Sequence, residues 1–334
     1  MRPLDLYTAD DSAGIAHAER VALKLGARER SEIGFRAVLP EGFDLELLCD
    51  PSVALAESLL GQKGKVFRIA VRVAGERKHV GELTLHCALA GDEANPLVVL
   101  LHGYSATSQI QDFYFRTSTL VDEQQFVLVL PDGLEDSAGN QYWNATDWCC
   151  DFNKTGPDDS TYLSELADEV VQRYAGDPRR VYFFGHSNGG FMSYRMACDH
   201  ADQVAAIASL AGSGFTDAAA CQPSEPVAVL QIHGTLDATI RYGGNPAQYP
   251  GVDELIGRWQ AHDGCGGDAV TLEDRVDYDS AVPGDETVVA RHATCDGATS
   301  VELWRMEGSG HIPGLDVDLA RDALKFLFAH AKQP

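Results

Sequence analysis

The stretch Val181-Tyr182-Phe183-Phe184-Gly185-His186-Ser187-Asn188-Gly189-Gly190-Phe191-Met192 constrains this chain more than any other. Four strand-forming apolar residues run into Gly-x-Ser-x-Gly, and residues 191–197 continue in a composition suited to a helix. Ser187 therefore falls at a sharp strand-to-helix turn. Glycines flank it because such a turn strains the backbone and brings strand and helix too close for a Cβ. The serine Oγ is then presented above a sheet edge, beside the free N–H groups of a helix start.

A turn of this kind needs a parallel sheet around it, and the sequence from Pro96 onward has the matching pattern. Short apolar runs at 96–101, 126–130, 181–184, 205–210, 227–232 and 301–304 alternate with helical patterns at 159–174, 188–200, 252–262 and 316–331. Such alternation predicts an α/β fold with a mostly parallel, doubly wound sheet covered on both faces. Right-handed crossovers collect the strand C-termini on one edge, where sites form. Residues 81–334 are read as this catalytic domain. Residues 1–80 read as an N-terminal α+β appendage: a helix over 12–30, a strand over 43–47, a helix from Pro51 to Leu60, and arms at 66–74 and 80–89 forming a hairpin around Gly75-Glu76-Arg77-Lys78. No constellation in the appendage points to chemistry.

Each strand end on the active edge carries a chemically suggestive residue. His102-Gly103-Tyr104 follows the first buried run, where the N–H of Tyr104 is placed to meet an oxyanion; the N–H of Asn188 is the second candidate donor. His102 itself reads as a hydrogen bonder rather than a base. Where a serine sits on such a turn, the acid and then the histidine follow it in chain order. Asp132 precedes Ser187 and fails that order, whereas Asp237 in Ile232-His233-Gly234-Thr235-Leu236-Asp237 satisfies it. Of the later histidines, His262 and His330 fall on or at the end of helical patterns and His292 in a polar segment, all expected at the surface. His311 stands in the glycine-rich stretch Gly308-Ser309-Gly310-His311, able to carry an imidazole over the edge. Ser187, Asp237 and His311 are the expected triad. Tyr142 and Trp143 on a long loop, with His186 of the serine turn, are candidate substrate contacts.

Twenty-six Lys+Arg against fifty Asp+Glu give a formal charge of −24, which repels phosphate backbones and anionic lipid and argues against nucleic-acid or membrane partners. No apolar run approaches the length of a membrane span, and the first eleven residues lack the apolar centre of a secretory signal. Eight cysteines nevertheless favour an oxidising compartment. Disulfides are expected ahead of zinc, with connectivity left open. The adjacent Cys149 and Cys150 are expected to take separate partners.

Leu101-His102-Gly103-Tyr104, Pro131-Asp132-Gly133, Trp143-Asn144, Cys149-Cys150, Asp158-Asp159, Gly185-His186-Ser187-Asn188-Gly189-Gly190, Ile232-His233-Gly234-Thr235-Leu236-Asp237 and Gly310-His311 resemble, in this order, the polyhydroxybutyrate depolymerase and feruloyl esterase group of α/β-hydrolases. The resemblance covers roughly residues 80 to 332. It implies the α/β-hydrolase fold and a serine esterase acting through an acyl-enzyme on short-chain, aryl or polyester substrates, with no metal or organic cofactor. The implied triad is Ser187, Asp237 and His311, with backbone donors at Tyr104 and Asn188. It also implies Cys198–Cys221 and Cys265–Cys295 bridges, as in secreted relatives, and hence an extracellular or periplasmic setting. Oligomerisation through the appendage, an acyltransferase on the same triad and a non-enzymatic recognition module are the competing expectations.

Overall fold

The computed structural model describes residues 94–173 and 176–333, together with the backbone of 35–37, 69–71 and 83–87. In chain order its strands are β1 (Phe35–Ala37), β2 (Ile69–Val71), β3 (Leu83–Cys87), β4 (Asn95–Leu101), β5 (Val127–Pro131), β6 (Leu134–Glu135) and β7 (Gln141–Tyr142). These are followed by β8 (Gly176–His186), β9 (Val204–Leu210), β10 (Ala228–Gly234), β11 (Val270–Thr271), β12 (Thr287–His292) and β13 (Val301–Met306). The helices are α1 (Ser108–Phe115), α2 (Val121–Gln124), α3 (Asp159–Arg173), α4 (Asn188–Asp199), α5 (Val252–His262) and α6 (Val317–Phe328).

The six apolar runs of the sequence become neighbours in one nine-stranded sheet, ordered β11-β12-β13-β10-β9-β8-β4-β5-β3. Strands β13, β10, β9, β8, β4 and β5 pair in parallel, and antiparallel β12 and β3 flank them. The serine-bearing strand β8 is thus central. Alternation along β4 shows why the sheet is covered twice. Leu97, Val99 and Leu101 pack with Leu163, Phe183 and Phe191 beneath α3, α4 and α5. Val98 and Leu100 pack with Phe115, Tyr182 and Phe184 beneath α1, α2 and α6. These five side chains of β4 are fully buried, each stabilising the fold by about 1.5–3 kcal/mol.

Helices α3, α4, α5 and α6 match the periodic patterns to within a few residues. Of the expected hairpin only 69–71 and 83–87 are described, β2 pairing in parallel with β1 and β3 antiparallel with β5; its turn over 75–78 lies outside the described residues. The expected helices over 12–30 and 51–60 and the strand over 43–47 lie outside the described residues.

Disulfides join Cys198 to Cys221 and Cys265 to Cys295, closing loops with sequence separations of 23 and 30; in the chain-entropy account each is worth about 3–4 kcal/mol. Cys149 and Cys150 are bridged to each other, which corrects the expectation of separate partners. Their loop doubles back through Cys150 N–H to Trp143 O at 3.1 Å and the amides of Ala145 and Thr146 to Cys149 O. Both cysteines are thereby buried together.

Asp263 caps the end of α5 from a fully buried position, where its Oδ1 accepts the N–H of Val227 at the entry to β10. Burial pushes its carboxyl up to about 7, against the pull of that amide. The unfolded carboxyl releases its proton near pH 4. Its stabilising share is therefore complete below that pH and is lost as pH rises through about 7. Asp263→Asn keeps an acceptor for Val227 without the charge. It is expected to raise Tm at about pH 8 by roughly 3–5 °C and to change it little at about pH 4, as calorimetry at the two pH values will show.

Candidate active site

Strand β8 delivers Ser187 into a backbone conformation of φ 54° and ψ −117° before α4 begins. A non-glycine residue there costs about 1–3 kcal/mol, held in place by the surrounding structure. The hold is visible: Ser187 N–H donates to Leu210 O of β9 at 2.8 Å, and a Cβ at Gly189 would collide with the carbonyl of Leu101. The turn therefore exists only because residue 189 lacks a side chain.

Two loops on the β10 and β13 side bring the other members. Asp237 follows β10, with its side chain fully buried and Oδ1 accepting the N–H groups of Thr239 and Ile240 at 2.8 and 2.9 Å. The loop after β13 is bolted to this one by Leu236 N–H to Ser309 O and Gly308 N–H to Thr235 Oγ1, both 2.9 Å. That loop holds His311 with Nδ1 2.7 Å from Asp237 Oδ2 and Nε2 2.9 Å from Ser187 Oγ. Burial alone would raise the Asp237 carboxyl; hydrogen bonds from His233 and His311 outweigh it and hold the group well below the usual carboxylate range. The three residues singled out by chain order thus form one continuous hydrogen-bonded chain.

The loop after β4 approaches from the opposite side. A Cβ on Gly103 would lie 3.5 Å from Ser187 Cβ, so the backbone of Gly103 borders the serine, with Tyr104 next in the chain. Tyr104 is anchored by its hydroxyl, which donates to Asp136 Oδ2 at 2.6 Å. Asn188 is the first residue of α4, so its N–H has no acceptor within the helix. Its side chain accepts Trp143 N–H at 2.8 Å and donates to Trp143 O at 2.9 Å, with Cys149 Sγ at 3.5 Å. Both expected oxyanion positions therefore sit on backbone fixed by polar contacts.

The expected substrate contacts are corrected. Trp143 is completely buried, its ring against His102 and its indole N–H donating to His102 O at 3.1 Å. Tyr142 is 2 % exposed, with its hydroxyl 2.6 Å from Thr155 Oγ1. His186 is buried and its Nε2 meets His311 O at 2.9 Å, so it props the base-bearing loop. Aromatic bulk in a loop that closes over the core was drawn inward.

His102 bonds as expected: Nε2 accepts Gly133 N–H at 2.9 Å, Nδ1–H donates to Gly103 O at 2.8 Å, and burial drives the ring down to about 4. Asp132 Oδ1 accepts Ser108 N–H at 2.6 Å at the head of α1, whereas the partner of His311 Nδ1 is Asp237. His330, expected at the surface, is partly buried with Nδ1 on Phe326 O and Nε2 on Ser300. His262 and His292 are also partly buried. A second grouping, Ser160 with Asp199 and His200, lacks the order of a relay. Ser160 Oγ lies 2.8 Å from Asp199 Oδ2 and 3.0 Å from His200 Nε2, so the carboxylate meets the hydroxyl directly and is shared with Arg195. Ser160 is 4 % exposed on a regular helix; the cluster ties α3 to the end of α4.

Comparison with known proteins agrees with this architecture. The chain is 26 % identical over 235 residues to feruloyl esterase B of Piromyces equi, covering 67 % of this chain and 41 % of that protein. It is 26 % identical over 219 residues to a bifunctional acetylxylan esterase/xylanase of Neocallimastix patriciarum, covering 66 % and 29 %. Over 128 residues it is 30 % identical to poly(3-hydroxyalkanoate) depolymerase C of Paucimonas lemoignei, covering 38 % and 30 %. The chain spans less than half of these relatives' own lengths. The fold is similar to that of an acetyl xylan esterase from Aspergillus awamori, with a TM-score of 0.56 at 14 % identity, covering 79 % of this chain and 100 % of that one. Residues 86–263, more than half of the chain, match the phospholipase/carboxylesterase family model, and the chain belongs to that family.

Proposed function

We propose that the chain is a serine carboxylic ester hydrolase working through an acyl-enzyme, with Ser187 as nucleophile, His311 as base and Asp237 as acid. The observation that carries this reading is the unbroken chain from Asp237 Oδ2 through His311 to Ser187 Oγ at the end of the central strand. His311 Nε2 takes the serine proton as Oγ adds to the ester carbonyl. The oxyanion settles on the N–H groups of Tyr104 and Asn188, backbone donors beside the nucleophile. The alcohol departs with the proton from His311, and water repeats the attack on the acyl-enzyme.

Apolar acyl or aryl groups suit the mouth of this site. Leu236 and Ile312, the neighbours of the acid and the base, are each 70 % exposed, and Phe152 stands edge-on to Tyr104 with ring centroids 5.2 Å apart. Feruloyl, acetyl and hydroxyalkanoate esters are the substrate classes named for the relatives, and we infer a substrate among them. The edge strand β3 supports reading residues 81–334 as the catalytic unit. Three disulfides among the described residues support an oxidising compartment. Diethyl p-nitrophenyl phosphate is expected to modify Ser187 stoichiometrically with loss of p-nitrophenyl butyrate hydrolysis; peptide mapping to another serine, Ser160 included, would refute the reading.

A further inference from the structure

A buried strand has little reason to carry two polar side chains on one face unless they are paired. Strand β10 carries Gln231 and His233 two residues apart, both completely buried. Gln231 Oε1 accepts the hydroxyl of Tyr194 at 2.8 Å. Its Nε2 lies 3.0 Å from the carbonyl of Gly212 and 2.9 Å from His233 Nδ1. A carbonyl only accepts, so the NH₂ end of Gln231 faces Gly212 and its second hydrogen points at His233 Nδ1. His233 must then accept at Nδ1 and carry its proton on Nε2. That proton faces Ile240 O at 2.8 Å and Asp237 Oδ2 at 3.3 Å.

We propose that His233 is a positioning residue for the triad. Its Nε2–H is shared between Ile240 O and Asp237 Oδ2, and it aims the carboxylate at His311, while Gln231 and Tyr194 fix its tautomer. Asp237 Oδ2 thus meets two imidazoles, His311 at 2.7 Å and His233 at 3.3 Å, while Oδ1 is held by two amides. Each oxygen of the carboxylate therefore faces two donors, which resists its rotation. Tyr194 belongs to α4, the helix that follows directly on Ser187. The polar chain therefore connects the nucleophile's helix to the acid through the interior, as well as across the open site. The role rests on the assignment of Asp237 and His311 above, and it adds a residue that never touches substrate.

The test uses His233→Phe, which keeps the volume of an aromatic ring and removes both nitrogens, with Gln231→Met as a partner that leaves His233 in place without its Nδ1 donor. His233→Phe is expected to lower kcat for p-nitrophenyl butyrate about tenfold or more, with KM unchanged within about twofold, and Gln231→Met to give a smaller loss in the same parameter. His233→Gln, which restores an N–H, is expected to recover part of kcat. The Nδ1–H proton resonance of His311 should shift in each variant. Wild-type kcat in a folded His233→Phe protein, or an unmoved His311 resonance, would overturn the proposal. If His233→Phe does not fold, Gln231→Met decides by the same two readouts. Modification of wild-type Ser187 by diethyl p-nitrophenyl phosphate is measured alongside. Failure there removes the triad assignment and this role with it, whereas success with unaffected variants removes the role of His233 alone.

Discussion

Ser187→Ala is expected to reduce kcat on p-nitrophenyl butyrate by about a millionfold while leaving the protein folded. Alanine keeps the Cβ of serine, so the unusual turn at φ 54° is no more strained than before. The amide bond of residue 187 to Leu210 O is also untouched. The loss is confined to Oγ, whose partner is His311 Nε2. Without it no acyl-enzyme forms, and what persists is the contribution of bound substrate and oxyanion donors to direct attack by water. Steady-state rates together with thermal melting check the result; a loss below about tenfold in a folded variant would remove Ser187 from the chemistry.

Asp237→Asn is expected to cost about 10⁴-fold in kcat, through the tautomer of His311 rather than through packing. Oδ1 of residue 237 accepts two amide N–H groups, so an asparagine places its oxygen there and turns its NH₂ toward His311. A donor facing Nδ1 drives the His311 proton onto Nε2. The nitrogen beside Ser187 is then already protonated and cannot receive the serine hydrogen. The same NH₂ confronts the Nε2–H of His233, which adds to the disturbance. Rates for Asp237→Asn and for Asp132→Asn separate the two candidate acids. The latter should remain within about tenfold of wild type, because Asp132 holds the N–H of Ser108 at the head of α1.

The sheet and its acting edge were legible because period and punctuation agree there. Runs such as 96–101 are apolar at every position, as a strand buried on both faces must be, and Gly189 marks a crossing that no other residue fits. Chain order selects Asp237 over Asp132, and the glycine-rich loop after the last strand selects His311 over three other histidines that follow the same order. Strand β12 was missed because Thr287–His292 mixes half-exposed and buried positions at the sheet margin, where apolar content is diluted. The bridge between Cys149 and Cys150 was misread because loop closure over Asn188, not residue spacing, decides which thiols meet. Tyr142 and Trp143 were misread for a similar reason: composition gives aromatic bulk but not the side of the loop on which it lands. His233 did carry a signal, as a polar residue two places from Gln231 in an otherwise apolar run. The triad order draws on the aspartate four residues later and assigns no role to a polar residue inside the strand.

The neighbour order of the strands has a stereochemical consequence. Ser187 leaves β8 with β4 on one flank and β9, β10 and β13 on the other. On the proposed assignment the Tyr104 donor stands on the first flank, the Asn188 donor follows Ser187 itself, and the acid and base stand on the second flank, so a bound carbonyl is expected to aim its oxygen one way and its leaving oxygen the other. Only one face of the trigonal carbon then meets Oγ, and the acyl chain has a single remaining direction to occupy. Enantiomers of an ester with a stereocentre beside that carbon present different substituents to the same wall. On that assignment, chiral preference is expected to follow from the winding of the sheet, and changes to side chains at the mouth to tune its size more readily than its handedness.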